Sequence, residues 1–257
     1  MGNGKRMPKR KVSTICKLHY VKMGYRGSLL LCAFVFYIVG RVLDGAHFYE
    51  LPKYRYAVVA LCAVVGAVYV IEMILRFFPS RHESMGCQKQ FGRNYLPTGE
   101  ETPKKPAAWR TLVVLLVWLA LNGAIGGLYF GGVIDKGILL IVSLFYGVCD
   151  MICILFFCPF QVWFMRNRCC TVCRIYNWDF AMMFTPFVFI PHPFTWGLLA
   201  LALALFLRWE ITLRVRPERF SENTNACLSC RHCEEKLCLH KRHLLKYVAK
   251  SKTDKKS

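Results

Sequence analysis

The sequence predicts an all-α, polytopic integral membrane protein with about six transmembrane helices and with both termini in the cytoplasm. Two observations lead to this prediction. Apolar residues make up 55% of the 257-residue chain and are concentrated in runs of roughly 20 residues, the length at which a helix crosses a bilayer. The 35 Lys and Arg residues are distributed unevenly between these runs, and such a bias orients membrane proteins.

The apolar segments lie within residues 28–210, which we predict to form one membrane domain. The third and fourth segments are joined by a short turn at Asp135 and Lys136, so they are predicted to be an antiparallel pair. The fifth segment is short for about 30 Å of hydrocarbon, and Pro186 interrupts it. A re-entrant hairpin formed by the last two segments is therefore an alternative. The predicted spans are 28–43, 56–75, 111–130, 137–157, 175–190 and 194–209.

The charge distribution predicts the orientation. If all six segments cross and the N-terminus is inside, then 30 of the 35 basic residues lie on the inner side. They lie in a solvated basic arm (1–27) that includes Arg26, in the inner loops and in a basic, cysteine-rich tail (211–257). We expect the protein in a bacterial cell (plasma) membrane, with the anionic inner leaflet as a partner. A net charge of +20 indicates nucleic acid in a soluble protein, but here it indicates topology, so no nucleic-acid partner is expected.

Clustered cysteines are the sharpest chemical signal in the chain. The tail carries four of them in the pattern C-x2-C-x2-C-x4-C, and three more follow the fourth predicted span. Both groups are predicted to be cytoplasmic, and in a reducing compartment clustered thiols favour metal binding over disulfides. The predicted metal ligands are Cys169, Cys170 and Cys173 in the loop, and Cys227, Cys230, Cys233 and Cys238 in the tail, where His232, His240 and His243 lie among them or close by.

Two ligand arrangements fit this pattern. The tail resembles ferredoxin-type ligation of a [4Fe–4S] cluster, although its fourth cysteine follows after four residues and has no proline behind it. Alternatively, Cys170 and Cys173 with Cys227 and Cys230 form the two knuckles of a tetrahedral zinc site. The spacing does not choose between zinc and iron–sulfur. The neighbouring basic residues, which are expected to lower the thiol pKa values, are Arg231, Lys236, Lys241, Arg242 and Lys246.

The cysteines in or next to the spans are interpreted differently. In an apolar helix a thiol behaves as a small apolar side chain. This is the expectation for Cys32, Cys62, Cys149, Cys153 and Cys158.

Asp150 is the only carboxylate well inside a predicted span. An intramembrane carboxylate is costly, so it is a candidate proton relay or cation ligand, with a packing role as the alternative. Asn122 in the third span is predicted to face it at a similar depth. Glu72 and Arg76, four residues apart, are predicted to pair on one helix face.

Three functional hypotheses follow. The first is a membrane redox or assembly subunit with a cytoplasmic zinc or iron–sulfur site and a redox or membrane protein partner. The second is a small transporter or ion-handling permease that uses Asp150. The third is a structural membrane protein in which zinc joins the loop to the tail. The sequence contains no phosphate-binding glycine loop and no H-E-x-x-H motif, so nucleotide-driven or metalloprotease activity has little support.

Overall fold

The computed structural model describes residues 13–43, 55–104, 108–233, 235–238 and 241. Within these ranges the secondary structure is helical, which confirms the all-α part of the prediction. Shorter 3₁₀ segments and one π-helical segment, Phe160–Met165, connect the α-helices. The α-helices are α1 (Thr14–Leu43), α2 (Arg55–Leu75), α3 (Met85–Gln88), α4 (Ala108–Phe130), α5 (Lys136–Leu155), α6 (Asp179–Met183) and α7 (Pro193–Val215).

Three of these helices are long and apolar enough to cross a membrane. They are α1 over Thr14–Val42, α4 and α5. The apolar part of α2, Val59–Leu75, is shorter. Leu112, Leu116 and Leu119 of α4 are exposed on the outer surface, as expected of side chains that face lipid. The helices are thus compatible with a polytopic membrane protein.

The interior of the bundle is built from aromatic and aliphatic side chains of α2, α5, α6 and α7. Tyr69 is fully buried, and its ring contacts those of Phe180 and Phe184 edge-on, with centroids 6.4 and 5.4 Å away. A Cβ on Gly147 would lie 2.8 Å from the Tyr69 hydroxyl oxygen. The absence of a side chain at Gly147 therefore leaves room for the Tyr69 side chain and for the Met183 sulfur.

The predicted span 175–190 is not one continuous helix, which corrects the prediction. It consists of the five-residue α6 followed by a 3₁₀ segment, Thr185–Phe189. Pro186 lacks an N–H and its ring would clash with the carbonyl of Met182, so the α-helix ends before it. The segment nevertheless extends through the bundle, because Asp179 pairs with Arg76 at one end and the Phe189 ring lies 5.8 Å from that of Phe130 near the other.

Polar side chains bind the backbone groups that this interruption leaves without helical partners. Ser143 of α5 donates to the carbonyl of Met183 at 2.9 Å, and Thr195 donates to the carbonyl of Ile190 at 2.7 Å. An irregular backbone within an apolar bundle needs such partners because no bulk water reaches it. The sequence therefore supplies hydroxyl groups where the helix is broken.

Part of the predicted basic arm is helical and belongs to the bundle. Residues 14–27 belong to α1, whereas residues 1–12 lie outside the described part. Arg26, predicted to be solvated, is 1% exposed and ion-paired to α2 and α5. The predicted pairing of Glu72 with Arg76 is also wrong, because Glu72 binds Arg26 and Arg76 binds Asp179. Both side chains point into the bundle, where other helices provide their partners.

Candidate functional site

A polar cap covers the end of the bundle where α2 and α5 finish and α4 begins. We define it as residues 77–104, 156–178, 216–233 and 235–238. Two of its segments join by backbone hydrogen bonds: Ala226 donates to the carbonyl of Leu96 at 2.8 Å, and Thr98 to that of Thr224 at 3.3 Å. The tail is thus held against the connection between α2 and α4.

Asn225 positions the first tail cysteine. It is fully buried, and its side-chain amide donates to the carbonyl of Arg219 at 2.8 Å. Its Oδ1 accepts hydrogen bonds from the backbone N–H groups of Leu96 and Cys227, at 3.3 and 3.2 Å. The second of these bonds begins the 3₁₀ turn Ala226–Leu228. Asn225 therefore fixes the position of Cys227 within the cap.

Glu235 holds the other half of the tail. Its carboxylate accepts hydrogen bonds from the hydroxyl group of Ser84, at 2.9 and 3.0 Å, and from the backbone N–H of Met85 at the start of α3. Its backbone carbonyl accepts a 2.9 Å hydrogen bond from Ser13. Burial raises the pKa of Glu235. The tail is thus tied to both the cap and the beginning of α1.

Lys89 binds the loop that carries Cys169, Cys170 and Cys173, which we call the cysteine loop. Its side chain is fully buried, and Nζ donates to the carbonyls of Thr171 and Cys173, each at 2.8 Å. The ammonium also lies 5.2 and 5.6 Å from the ring centroids of Trp209 and Phe220. Burial lowers the pKa of Lys89 to about 8. The cation is stabilised by carbonyl dipoles and aromatic faces.

Six of the seven predicted ligands line one cavity of about 890 Å³ in the cap, which we call the cap cavity. Two come from the loop after α5 and four from the tail, so the two cysteine groups open onto the same space. Cys173 does not line it; its side chain faces a smaller cavity deeper in the bundle. The six are Cys169, Cys170, Cys227, Cys230, Cys233 and Cys238.

The cysteines of the cap cavity are spread over its wall. Among the described residues, no three His, Cys, Asp or Glu side chains converge closely enough to hold one metal ion. A zinc site needs all its sulfurs about 2.3 Å from one ion, whereas a cubic cluster takes one thiolate at each of its iron atoms. The six cysteines thus share one cavity without forming a three-donor metal site within the described part of the chain. His232 lines the cavity and its Nδ1 lies 3.1 Å from the Ser229 hydroxyl, whereas His240 and His243 lie outside the described residues.

Basic side chains also line the cap cavity, but they do not lower all the thiol pKa values as predicted. Lys241 donates to the Cys170 sulfur at 3.3 Å, yet burial outweighs this contact and raises the pKa of Cys170 to about 12. Burial also raises the pKa of Cys233. The Cys158 thiol behaves differently, because hydrogen bonds from Cys153 and the Gln161 N–H lower its pKa to about 7. Arg242 and Lys246 lie outside the described residues.

Asp150 and Asn122 do not face each other. Asp150 accepts a 3.1 Å hydrogen bond from Arg26, whose other guanidinium nitrogen binds Glu72 at 2.6 Å. Asn122 is buried and donates to the carbonyl of Trp118 in its own helix at 3.0 Å. Asp150 is therefore one member of a buried ion-pair group between α1, α2 and α5.

Sequence reasoning missed three residues that organise this site: Lys89, Asn225 and Glu235. Lys89 and Asn225 lie in irregular connections, where no periodicity marks a buried position. Asn225 carries a weak signal, since Asn frequently precedes a helical turn whose N–H groups need an acceptor. The roles of Lys89 and Glu235 depend on contacts with residues 82 to 151 positions away.

No protein-family model, curated protein or solved structure matches this chain.

Proposed function

We propose that this protein is a membrane-anchored redox or assembly subunit that binds an iron–sulfur cluster in the cap cavity on the cytoplasmic face. One observation carries the proposal: six cysteines from two segments distant in sequence line the same cavity of about 890 Å³. Thiolates are the ligands that select iron–sulfur clusters, zinc and copper(I). A space of this size bordered by six of them suits a cluster.

The four tail cysteines are the proposed ligands of this cluster. Their C-x2-C-x2-C-x4-C spacing keeps all four within 12 residues, and a cube takes four thiolates, one at each iron atom. The zinc alternative used Cys173 as part of a knuckle with Cys170, and Cys173 faces the other cavity. This placement favours the tail set over the two-knuckle set. Cys169 lies in the cavity wall beside the tail set.

We also propose six crossings with both termini in the cytoplasm. The polar cap contains the cysteine loop, the tail and most of the basic residues between spans, in agreement with the orientation that basic residues favour. The segment 179–190 leads from the Arg76 level to the Phe130 ring, and α7 returns to the cap. This path supports counting the fifth and sixth segments as crossings despite the break before Pro186.

A reporter series tests this topology. Alkaline phosphatase fused after residue 257 should be inactive and a cytoplasmic fluorescent reporter there should be bright, because the cap is proposed to face the cytoplasm. A phosphatase inserted in the 44–54 connection should be active. The reverse pattern at both positions would contradict the topology, and a phosphatase active at both positions would contradict an even number of crossings.

The surroundings of the cap cavity suit an acidic redox partner and an anionic lipid surface. Arg81, Arg168, Lys236 and Lys241 line the cavity against two carboxylates, Glu83 and Glu235. Complementary charge steers the encounter of two proteins, and the same positive charge holds the cap near the inner leaflet. The partner is therefore expected to present an acidic surface next to its own redox centre.

The transporter hypothesis has less support. Asp150 is engaged by Arg26 within the buried ion-pair group, together with Glu72. A carboxylate that carries protons or cations must exchange its partners during transport, whereas this one is held by a guanidinium with 1% exposure. The arrangement supports a structural role for Asp150.

Metal analysis of anaerobically purified protein tests the proposed function. The wild type should absorb broadly near 400 nm and contain iron and acid-labile sulfide. Cys230→Ser combined with Cys233→Ser should lose roughly half or more of both, because two of the four proposed thiolates are removed. Cys32→Ser provides the control, since Cys32 is exposed on α1 away from the cap, and it should keep the full content.

Two outcomes would contradict the proposal. A colourless wild type with stoichiometric zinc would replace the cluster by a zinc site. Iron and sulfide that persist unchanged in the double variant would place the cluster away from the tail cysteines.

A further inference from the structure

A second, smaller group of thiols lies below the cap cavity. It surrounds a cavity of about 130 Å³ between the end of α5, the turn after it and the cysteine loop, which we call the bundle cavity. Gln161 and Cys170 line both cavities, so the two spaces share a wall. The cysteines that line the bundle cavity are Cys149, Cys153, Cys158, Cys170 and Cys173.

The local backbone brings these thiols together. α5 ends at Leu155, and after Pro159 the π-helical segment turns the chain until Arg166, whose left-handed conformation (φ 50°) ends it. This path places Cys158 next to Cys153, whose thiol donates a hydrogen bond to the Cys158 sulfur. The cysteine loop then covers the same space from the other side.

The thiols are also held in position by polar contacts. The backbone N–H of Gln161 donates to the Cys158 sulfur at 3.3 Å, and the Cys170 thiol donates to Gln161 Oε1 at 2.8 Å. Lys241 bridges the two walls, because its Nζ donates to the carbonyl of Cys153 at 2.9 Å and to the Cys170 sulfur at 3.3 Å. These contacts fix the positions of the Cys158 and Cys170 sulfur atoms.

We infer that Cys153, Cys158, Cys170 and Cys173 bind a second iron–sulfur cluster in the bundle cavity, an inference that rests on the function proposed for the cap cavity. The tail alone provides four thiolates, which is the full ligand set of one cube. Cys170 and Cys173 are then available to the bundle cavity, and with Cys153 and Cys158 they complete a second set of four. Cys149 lies one turn below Cys153 and lines the deepest part of the site.

The lining of the bundle cavity combines aromatic rings with charged groups of both signs. Its volume of about 130 Å³ is close to the roughly 150 Å³ that holds one small ring in another protein interior. Trp118, Phe160 and Tyr176 provide aromatic parts of the wall. Lys241 at Cys170 and Lys89 at the carbonyl of Cys173 partly offset the negative charge of four thiolates. Two carboxylates also line the cavity, Asp150 and Asp179, and each is paired with a buried arginine.

Two clusters on either side of one wall would act as a relay. A single electron that leaves the reduced cluster in one cavity enters the oxidised cluster in the other, and no bond is formed or broken. The bundle cluster is enclosed by the helices whereas the cap cluster faces the cytoplasmic partner. The pair therefore connects the interior of the membrane domain to its surface.

The iron and sulfide content of the anaerobically purified wild type tests this inference directly, because it needs no variant to fold. Two cubes correspond to about eight iron and eight sulfide atoms per chain. Cys153→Ser with Cys158→Ser should retain about half, and Cys230→Ser with Cys233→Ser should retain the complementary half. Cys32→Ser again serves as the control. In the electron paramagnetic resonance spectrum, the fully reduced wild type should show interaction between two paramagnets, which each double variant should lack.

The outcomes separate the inference from the function on which it rests. A wild type with about four iron atoms, all lost with Cys230 and Cys233 and none lost with Cys153 and Cys158, would overturn the second cluster and leave the first. A wild type without iron would overturn both. About eight iron atoms divided between the two double variants would support both.

Discussion

Replacing Arg26 with methionine is expected to lower the free energy of unfolding by about 3–5 kcal/mol, the usual cost of removing one partner from a buried ion pair. The Arg26 guanidinium is 1% exposed and lies between Glu72, at 2.6 Å, and Asp150, at 3.1 Å. It also donates to the carbonyl of Gly147 at 3.0 Å. Without the guanidinium, the two carboxylates remain in the bundle with their negative charges close together. SDS titration of the protein in mixed micelles, followed by tryptophan fluorescence, measures the effect.

Two further variants make this test specific. Arg41→Met removes an arginine from the other end of α1, where the side chain is 46% exposed and pairs with Asp135, so no measurable change is expected. Combining Arg26→Met with Glu72→Gln and Asp150→Asn removes the uncompensated charges and should recover much of the lost stability. An Arg26→Met protein as stable as the wild type would show that the ion-pair group does not support the bundle.

Lys89 is expected to make the stability of the protein depend on alkaline pH. Its pKa is lowered to about 8 by burial, compared with an ordinary value of 10.5. Between these values the folded protein binds fewer protons at this site than the unfolded chain, so the free energy of unfolding rises with pH. Below pH 8 the full cost of burying the charged amine is present, and above 10.5 it is absent.

The expected size follows from the shift in pKa. Each unit corresponds to about 1.4 kcal/mol, so the wild type should gain about 2–3 kcal/mol relative to Lys89→Met between pH 7.5 and pH 10. The difference between the two proteins cancels the titration of groups that they share. Lys104→Met provides the control, because Lys104 is exposed and its removal should leave the wild-type pH dependence in place. A constant difference between wild type and Lys89→Met over this range would mean that Lys89 titrates normally.

The positions of the regular helices were largely predictable from the sequence. The spans predicted at 111–130 and 137–157 correspond to Ala108–Phe130 and Lys136–Leu155. Long apolar runs define such helices because a bilayer-spanning backbone must satisfy its own hydrogen bonds. The prediction failed at 175–190, where Pro186 breaks the helix and hydroxyl groups from α5 and α7 bind the carbonyls left over.

Partners of charged side chains were not predictable in the same way. Arg26 was assigned to a solvated arm because it lies in a basic stretch, yet it binds an aspartate 124 positions further along the chain. Lys89 contacts a carbonyl 84 positions away. Such pairings depend on which helices pack against each other, and the local sequence does not determine this.

For the candidate site, the amino-acid order alone predicted the kind of chemistry, because closely spaced cysteines in a chain with a strong positive-inside bias indicate a metal centre in a reducing compartment. It could not establish which thiols share a space. Only the packing of the cap against the bundle places Cys169 and the tail cysteines on one cavity, Cys153, Cys158 and Cys173 on the other, and Cys170 on the wall between them. The physical reason is that ligand sets are defined by distances between side chains on separate segments, and those distances exist only after the helices have packed.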